Sequence, residues 1–256
     1  MAIKTVLLDL DYTLVKTGDF KELSKNASIM RMQAEAMNKF KLKIPRKLLD
    51  ESIESIRKEK TSNYDKILDE AASAVCRSLG MTDQTQIDMI STAGISGHHM
   101  IKDAYFAFLY DEVVETLHSL KEMGLQICLA TAGKTHKQID KVEWAYLTND
   151  IDLVFVTQQY IQETETIQTI DMKSKEFFQW ILKKIRCEPN EAIMVGDSYP
   201  NDIEQSKNAG IWTAHLSRKC SGEKVKGEKA DYLIEDLTSL PKIIEEINAK
   251  GQGQEK

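Results

Sequence analysis

The feature that most restricts how this chain can fold is a series of short, continuous apolar runs separated by helix-like patterns. The runs fall at Ile3–Leu10, Gln126–Thr131, Leu153–Thr157, Ala192–Gly196 and Ile211–Leu216, with a weaker one at Tyr232–Ile234. A run that stays apolar, rather than alternating with polar residues, suits a strand covered on both faces. Between the runs, helical spacing appears over Asp111–Met123, Lys134–Tyr146, Lys173–Ile185, Asp202–Ala209 and Leu237–Ile247. Gly124 and Gly210 each follow a helical pattern and precede a strand, where a glycine commonly ends a helix. Strand and helix in alternation predict an α/β fold with a mostly parallel sheet and helices on both faces.

Residues 16–108 break the alternation. Lys21–Lys41, Arg46–Lys60, Tyr64–Leu79 and Asp83–Thr92 all show helical spacing, Pro45 and Gly80 punctuate them, and no strand run intervenes. This stretch reads as a helical bundle inserted after the first strand, so that the core comprises residues 1–15 and 109–248. The polar tail, residues 249–256, is expected to fray. A chain of 256 residues can bury a sizeable core without disulfides or a structural metal.

The formal net charge of −6 disfavours nucleic acid and anionic membrane surfaces as partners. Cys76, Cys128, Cys187 and Cys220 are scattered, form no C-x-x-C pair and have no zinc spacing, which points to reduced thiols. Only three consecutive apolar residues, Val6 to Leu8, precede the first aspartate, too few for a signal peptide. No run approaches membrane-spanning length. A cytoplasmic location is the expectation.

Four groups of residues carry chemistry. Asp9-Leu10-Asp11-Tyr12-Thr13 stands at the carboxyl end of the first strand, the end at which open parallel sheets bind ligands. Two carboxylates so close repel each other unless a cation or a shared proton intervenes, and a hard cation with oxygen ligands would meet that need. An acidic strand end facing water is the plainer alternative. Leu129-Ala130-Thr131-Ala132-Gly133, at another strand end, can offer a hydroxyl and backbone N–H groups to an anion, although Thr-Ala-Gly is also ordinary turn chemistry. In Met194-Val195-Gly196-Asp197-Ser198-Tyr199-Pro200-Asn201-Asp202, Asp197 directly follows an apolar strand and needs a partner, whereas Asp202 also suits a helix start. Lys173 and Lys175 open a predicted helix, against its dipole, which an anionic partner would explain.

Taken together, these groups resemble the haloacid-dehalogenase-like superfamily of hydrolases. Its order is D-x-D-x-T, Ser/Thr, Lys, then G-D-x-x-x-x-D, and here Asp9, Asp11, Thr13, Thr131, Lys173, Asp197 and Asp202 follow it. The resemblance covers the core, and the insertion lies where the family carries a helical cap. It implies a Rossmann-like core and a magnesium-dependent phosphatase of small phosphorylated metabolites working through an aspartyl phosphate. Asp9 would then be the nucleophile and Asp11 the general acid and base. Asp9, Asp11 (through its carbonyl), Asp197 and Asp202 would hold Mg2+. Thr131, Lys173 and the backbone N–H groups of Leu10 and Ala132 would bind the phosphoryl oxygens.

Two departures qualify the match. Tyr12 stands where many relatives have glycine, so its phenol lines the site or packs nearby, and the lysine motif reads Met172-Lys173-Ser174-Lys175 without the usual proline, leaving Lys175 as a competitor. The second carboxylate, Asp11, argues against dehalogenation, which has no alkoxide to protonate. A phosphonate hydrolase would need a cap lysine, for which Lys16, Lys21 and Lys25 are available; a mutase or a non-catalytic binding module would share the same residues. His98 and His99 are candidates to line the substrate cleft, and as helical neighbours they do not share one face, which disfavours a metal site. The polar segment Gln158–Ile170 reads as a long loop.

Overall fold

The computed structural model describes residues 2–59, 63–218 and 230–252, and these fall into two compact units, 1–17 with 106–256 and 18–105. The first unit is built on six strands: β1 (Thr5–Leu8), β2 (Gln126–Thr131), β3 (Leu153–Val156), β4 (Ala192–Gly196), β5 (Trp212–Leu216) and β6 (Tyr232–Ile234). Every pairing is parallel and the order is β3-β2-β1-β4-β5-β6. From β1 the chain moves outward to β2 and β3, then returns to the far side of β1 with β4. That reversal opens a crevice at the carboxyl ends of β1 and β4, where open α/β sheets bind ligands.

The central strands are apolar on both faces because both are covered. All residues of β1 and β4 are buried. Leu7, Cys128 and Met194 share one face with Phe155, Tyr160, Phe177, Phe178 and Ile181. Those last residues come from β3, α7 (Thr157–Thr164) and α8 (Lys175–Ile185). Strand alternation sends Val6, Ile127 and Ile193 to the opposite face. There α5 (Val113–Glu122) packs on β2, and α10 (Leu240–Gln252) packs on α5. The remaining helices of this unit are α6 (Thr135–Trp144) and α9 (Glu204–Asn208). Gly124 and Gly210 take positive φ just past α5 and α9, as a helix-ending glycine does.

The second unit consists of α1 (Thr17–Phe40), α2 (Arg46–Glu59), α3 (Tyr64–Ser78) and α4 (Gln84–Asp103). Ile29, Met32, Leu49, Ile53, Leu68, Ala72, Ile87 and Ile90 form its core. Asn63 and Asp83 cap α3 and α4 by accepting the N–H groups of Asp65 and Gln86. Three expectations need correction here and in the core. Helix α4 does not stop at Thr92 but runs to Asp103, through Gly94 and Gly97. A Cβ at Gly97 would lie 2.8 Å from the Ala27 carbonyl oxygen, so these glycines are there for close helix approach and do not break the helix. Within the segment expected as a loop, residues through Thr164 are helical in α7. Its polar surface hides the pattern, since only Thr157 and Tyr160 are buried. Helix α10 continues to Gln252, past the expected start of the tail. Cys76 and Cys128 are buried free thiols and Cys187 is half-buried, while Cys220 lies outside the described residues.

Candidate active site

Strand β1 delivers Asp9. The Leu8 pairings with Leu129 and Val195 bring the chain segments leaving β1, β2 and β4 side by side. The Asp9 N–H extends the ladder by one bond to the Val195 carbonyl, 3.0 Å away. The backbone then turns tightly. Leu14 and Val15 N–H groups both donate to the Leu10 carbonyl, and Tyr12, with φ 63°, donates to the Val15 carbonyl at 2.9 Å. A left-handed residue at this point would suit glycine, and a tyrosine there carries strain of about 1–2 kcal/mol. The phenol is exposed at 43%.

Strand β4 delivers Asp197, and the turn after it delivers Asp202. Residues Tyr199–Ile203 form one π-helical turn, a form often found at functional sites. Asp202 does not cap α9; its Oδ2 accepts the Ser198 N–H at 3.0 Å, and its side chain lies inside the protein. Gly196 makes this possible, since a Cβ there would come within 2.3 Å of the Asp202 carboxylate. Among the described residues, carboxylate oxygens of Asp9, Asp197 and Asp202 lie within 4.8 Å of one another.

Lys173 closes the group. It precedes α8 instead of opening it; Ser174 is the N-cap, accepting the Phe177 N–H, and Lys175 begins the helix in an exposed position. Lys173 is only 3% exposed, and its Nζ donates to Asp9 Oδ1 and Asp202 Oδ1, each at 2.5 Å. One ammonium cannot balance three carboxylates. Burial pushes Asp9 up to about 8, with Asp202 and Asp11 adding to the rise and Lys173 opposing it. Burial and Asp202 likewise push Asp197 up to about 6. For Lys173, burial alone would favour the neutral amine, but Asp202 and Asp9 outweigh it and raise its pKa. The surplus negative charge, carried entirely by oxygen, suits a hard divalent cation.

Asp11 points elsewhere. Its Oδ1 accepts from Thr17 Oγ1 at 2.7 Å and its Oδ2 from Lys141 Nζ at 2.5 Å, and its carboxylate is not part of the three-acid group. Thr13 Oγ1 stands 3.5 Å from Asp197 Oδ1. Thr131 ends β2 and is buried. The turn after it is tied down by two bonds, Gly133 N–H to Thr157 Oγ1 at 3.0 Å and Gln138 Nε2 to the Ala132 carbonyl at 2.7 Å. Leu10 is buried beneath the first turn. His98 and His99 belong to the second unit, where they meet Ser24 and Asp65.

Four residues around the site were missed by sequence reasoning. Thr17 and Lys141 hold Asp11. His215 Nε2 bonds the Asp197 carbonyl at 2.9 Å. Arg218 donates to the Thr13 carbonyl at 2.9 Å, pairs with Glu112 at 2.7 Å and lies 3.3 Å over the Tyr110 ring. Of these only His215, at the carboxyl end of a predicted strand, carried a positional signal; Lys141 reads as a surface residue of a helix.

A family model described as haloacid dehalogenase-like hydrolase matches residues 6–216. A glyceraldehyde 3-phosphate phosphatase of Methanocaldococcus jannaschii is 29% identical over 245 residues, covering 96% of this chain and 98% of its own. The pyrophosphatase PpaX of Bacillus thuringiensis is 24% identical over 97% of this chain and 99% of its own. Among solved structures, the HAD-hydrolase YfnB of Bacillus subtilis bound to magnesium superposes with a TM-score of 0.58 at 17% identity, covering 95% of this chain and 99% of that one.

Proposed function

The chain belongs to the haloacid dehalogenase-like hydrolase family, and from that premise we propose that it is a magnesium-dependent phosphatase of small phosphorylated metabolites. The observation that carries this reading is the buried group at the ends of β1 and β4, in which Asp9 shares the Lys173 ammonium with Asp202 and stands beside Asp197. Asp9 is the nucleophile toward phosphorus, forming an aspartyl phosphate as the alcohol leaves. Lys173 holds one Asp9 oxygen, fixing the direction of attack, and neutralises charge on the transferring phosphoryl group. Thr131 and the N–H groups of Leu10 and Ala132 bind its remaining oxygens. Asp11 gives a proton to the departing alkoxide and then takes one from the attacking water. Asp9, Asp197, Asp202 and the Asp11 carbonyl would hold the Mg2+ ion, which when bound offsets the repulsion between an anionic nucleophile and an anionic ester.

A phosphonate hydrolase acting through an imine is less well supported, because that route needs a neutral amine. Lys25 donates to Glu54 and pairs with Asp50 and Glu22, and the Asp50 bond raises its pKa. Lys16 pairs with Asp111 at 2.9 Å.

The test is phosphate release from p-nitrophenyl phosphate, glyceraldehyde 3-phosphate, pyrophosphate and a panel of sugar phosphates, with Mg2+ and with chelator, beside Asp9→Asn. The full-length relative makes the triose phosphate the first substrate to try. Chelator-sensitive release that Asp9→Asn abolishes is the expected result. Equal release by wild type and Asp9→Asn removes Asp9 as nucleophile. Isomerised sugar phosphate without free phosphate indicates a mutase.

A further inference from the structure

The helical unit brings together three groups that the phosphatase reading does not use. Asp65 lies in the first turn of α3, and His98 and His99 lie in the latter half of α4. Neighbouring histidines on a helix point about 100° apart, so neither alone nor as a pair do they suggest a ligand site. The packing of α3 on α4 changes this, because it brings Asp65 close to both histidines. His99 Nε2 stands 3.0 Å from each Asp65 carboxylate oxygen, and the two imidazole centroids are 5.5 Å apart. One donor atom from each of the three residues lies within 4.8 Å of the others.

The surroundings orient the first histidine. His98 Nδ1 is 2.6 Å from Ser24 Oγ, a buried hydroxyl on α1, and the Tyr64 ring packs edge-on against the imidazole at 4.8 Å. In the tautomer that donates Nδ1–H to Ser24, the lone pair sits on Nε2. A hydrogen bond that fixes one ring nitrogen while the other is left for a cation is the usual support of a metal-bound histidine. Asp65 and His99 are partly open to solvent, giving an ion a way in and room for water as a fourth ligand.

We propose that Asp65, His98 and His99 form a second cation site, within the helical unit, for a zinc-class transition metal. The donor set decides the class. Two imidazoles and one carboxylate suit Zn2+ or Co2+, whereas Mg2+ takes oxygen ligands, as Asp9, Asp197 and Asp202 would supply. Bond lengths of about 2.0–2.2 Å put tetrahedral donors about 3.4 Å apart, so small side-chain adjustments close the site. A bound ion would clip the start of α3 to α4. The inference rests on the second unit alone and stands or falls separately from the phosphatase reading.

The test uses the full chain, stripped with chelator, saturated with Mg2+ and titrated with Zn2+, with Co2+ as the coloured probe. One equivalent of Zn2+ is expected beyond the Mg2+, with Co2+ giving visible absorption typical of four-coordination. His99→Ala, whose side chain is exposed and outside the core, should weaken that equivalent at least tenfold, as should His98→Ala and Asp65→Asn. Ser24→Ala should weaken it about tenfold through loss of orientation. The equivalent should persist in Asp197→Asn. Absence of Zn2+ uptake in Mg2+-saturated protein overturns the proposal. So does uptake that His99→Ala leaves unchanged, or that Asp197→Asn abolishes.

Discussion

The Lys173 ammonium stands 2.5 Å from Asp9 Oδ1 and 2.5 Å from Asp202 Oδ1, so a single buried cation ties the end of β1 to the turn after β4. Removing it leaves two buried carboxylates without their partner. Lys173→Met should lower kcat/KM by about 10²–10³, the scale for losing one charged stabiliser of a reacting group. Breaking a buried pair from one side also costs about 3–5 kcal/mol, so thermal unfolding should be measured beside phosphate release. Lys175→Met, at an exposed helix start, should leave both close to wild type, and a large loss there would reassign the active-site lysine.

Gly196→Ala tests the geometry without changing charge. Its Cβ would meet the Asp202 carboxylate at 2.3 Å and its Cβ at 2.6 Å. Asp202 has nowhere to retreat inside the π-helical turn, so the clash should cost about 1–3 kcal/mol and displace the carboxylate from Lys173. Weaker magnesium dependence and a lower Tm are expected together. Wild-type magnesium affinity in this variant would show that Asp202 does not serve the ion.

The magnesium response should depend on pH in a known direction. With Asp9 pushed up to about 8 and Asp197 up to about 6, the folded protein keeps protons that the unfolded chain has already lost. Between the ordinary carboxylate range and those values, the metal-free protein therefore loses stability as pH rises. A cation binding the ionised acids removes that penalty. The rise in Tm on adding Mg2+ should be larger at pH 8 than at pH 6, by differential scanning fluorimetry. Equal shifts at both pH values would contradict the link between these acids and the ion.

Asp11 and its partners Thr17 and Lys141 make a kinetic prediction. Proton transfer to a leaving group contributes about 10²–10⁴ in rate, but p-nitrophenolate leaves without a proton. Asp11→Asn should therefore lower alkyl phosphate hydrolysis by that range. With p-nitrophenyl phosphate it should give a burst of phenolate followed by slow turnover, because water attack still lacks its base. A uniform loss on both substrates, with no burst, would place Asp11 outside proton transfer.

Within the helical unit, two glycines of α4 should both resist replacement by alanine. At Gly94 the new Cβ would lie 2.2 Å from Cε and 2.7 Å from Cγ of Met32, a fully buried core residue, so better helix propensity does not offset the contact. At Gly97 it meets the backbone of Ala27 and Ser28. Gly97→Ala and Gly94→Ala should each cost about 1–3 kcal/mol in chemical denaturation, and wild-type stability in either variant would show that its close contact is not needed.

The strands and most helices could be read from the sequence because buried parallel strands must be apolar on both sides and their covering helices must present an apolar stripe. The sequence failed where that signal is weak. Helix α7 buries only Thr157 and Tyr160, and α4 continues through glycines whose purpose is a contact with α1 that no local pattern records. Among the candidate site residues, Asp9, Thr131 and Asp197 could be placed because they end strands, and a strand end in a parallel sheet faces the ligand crevice. Lys173 was separable from Lys175 only once folded, when one was buried between two carboxylates and the other left in water. The same holds for Lys141 on Asp11 and for Asp65 near His98 and His99. The sequence by itself determined which residues could bear charge at the ends of which strands, since that follows from local hydrophobic period. Only the tertiary structure decided which charges share a partner, because those distances are set by how helices far apart in the chain pack, and local sequence does not encode them.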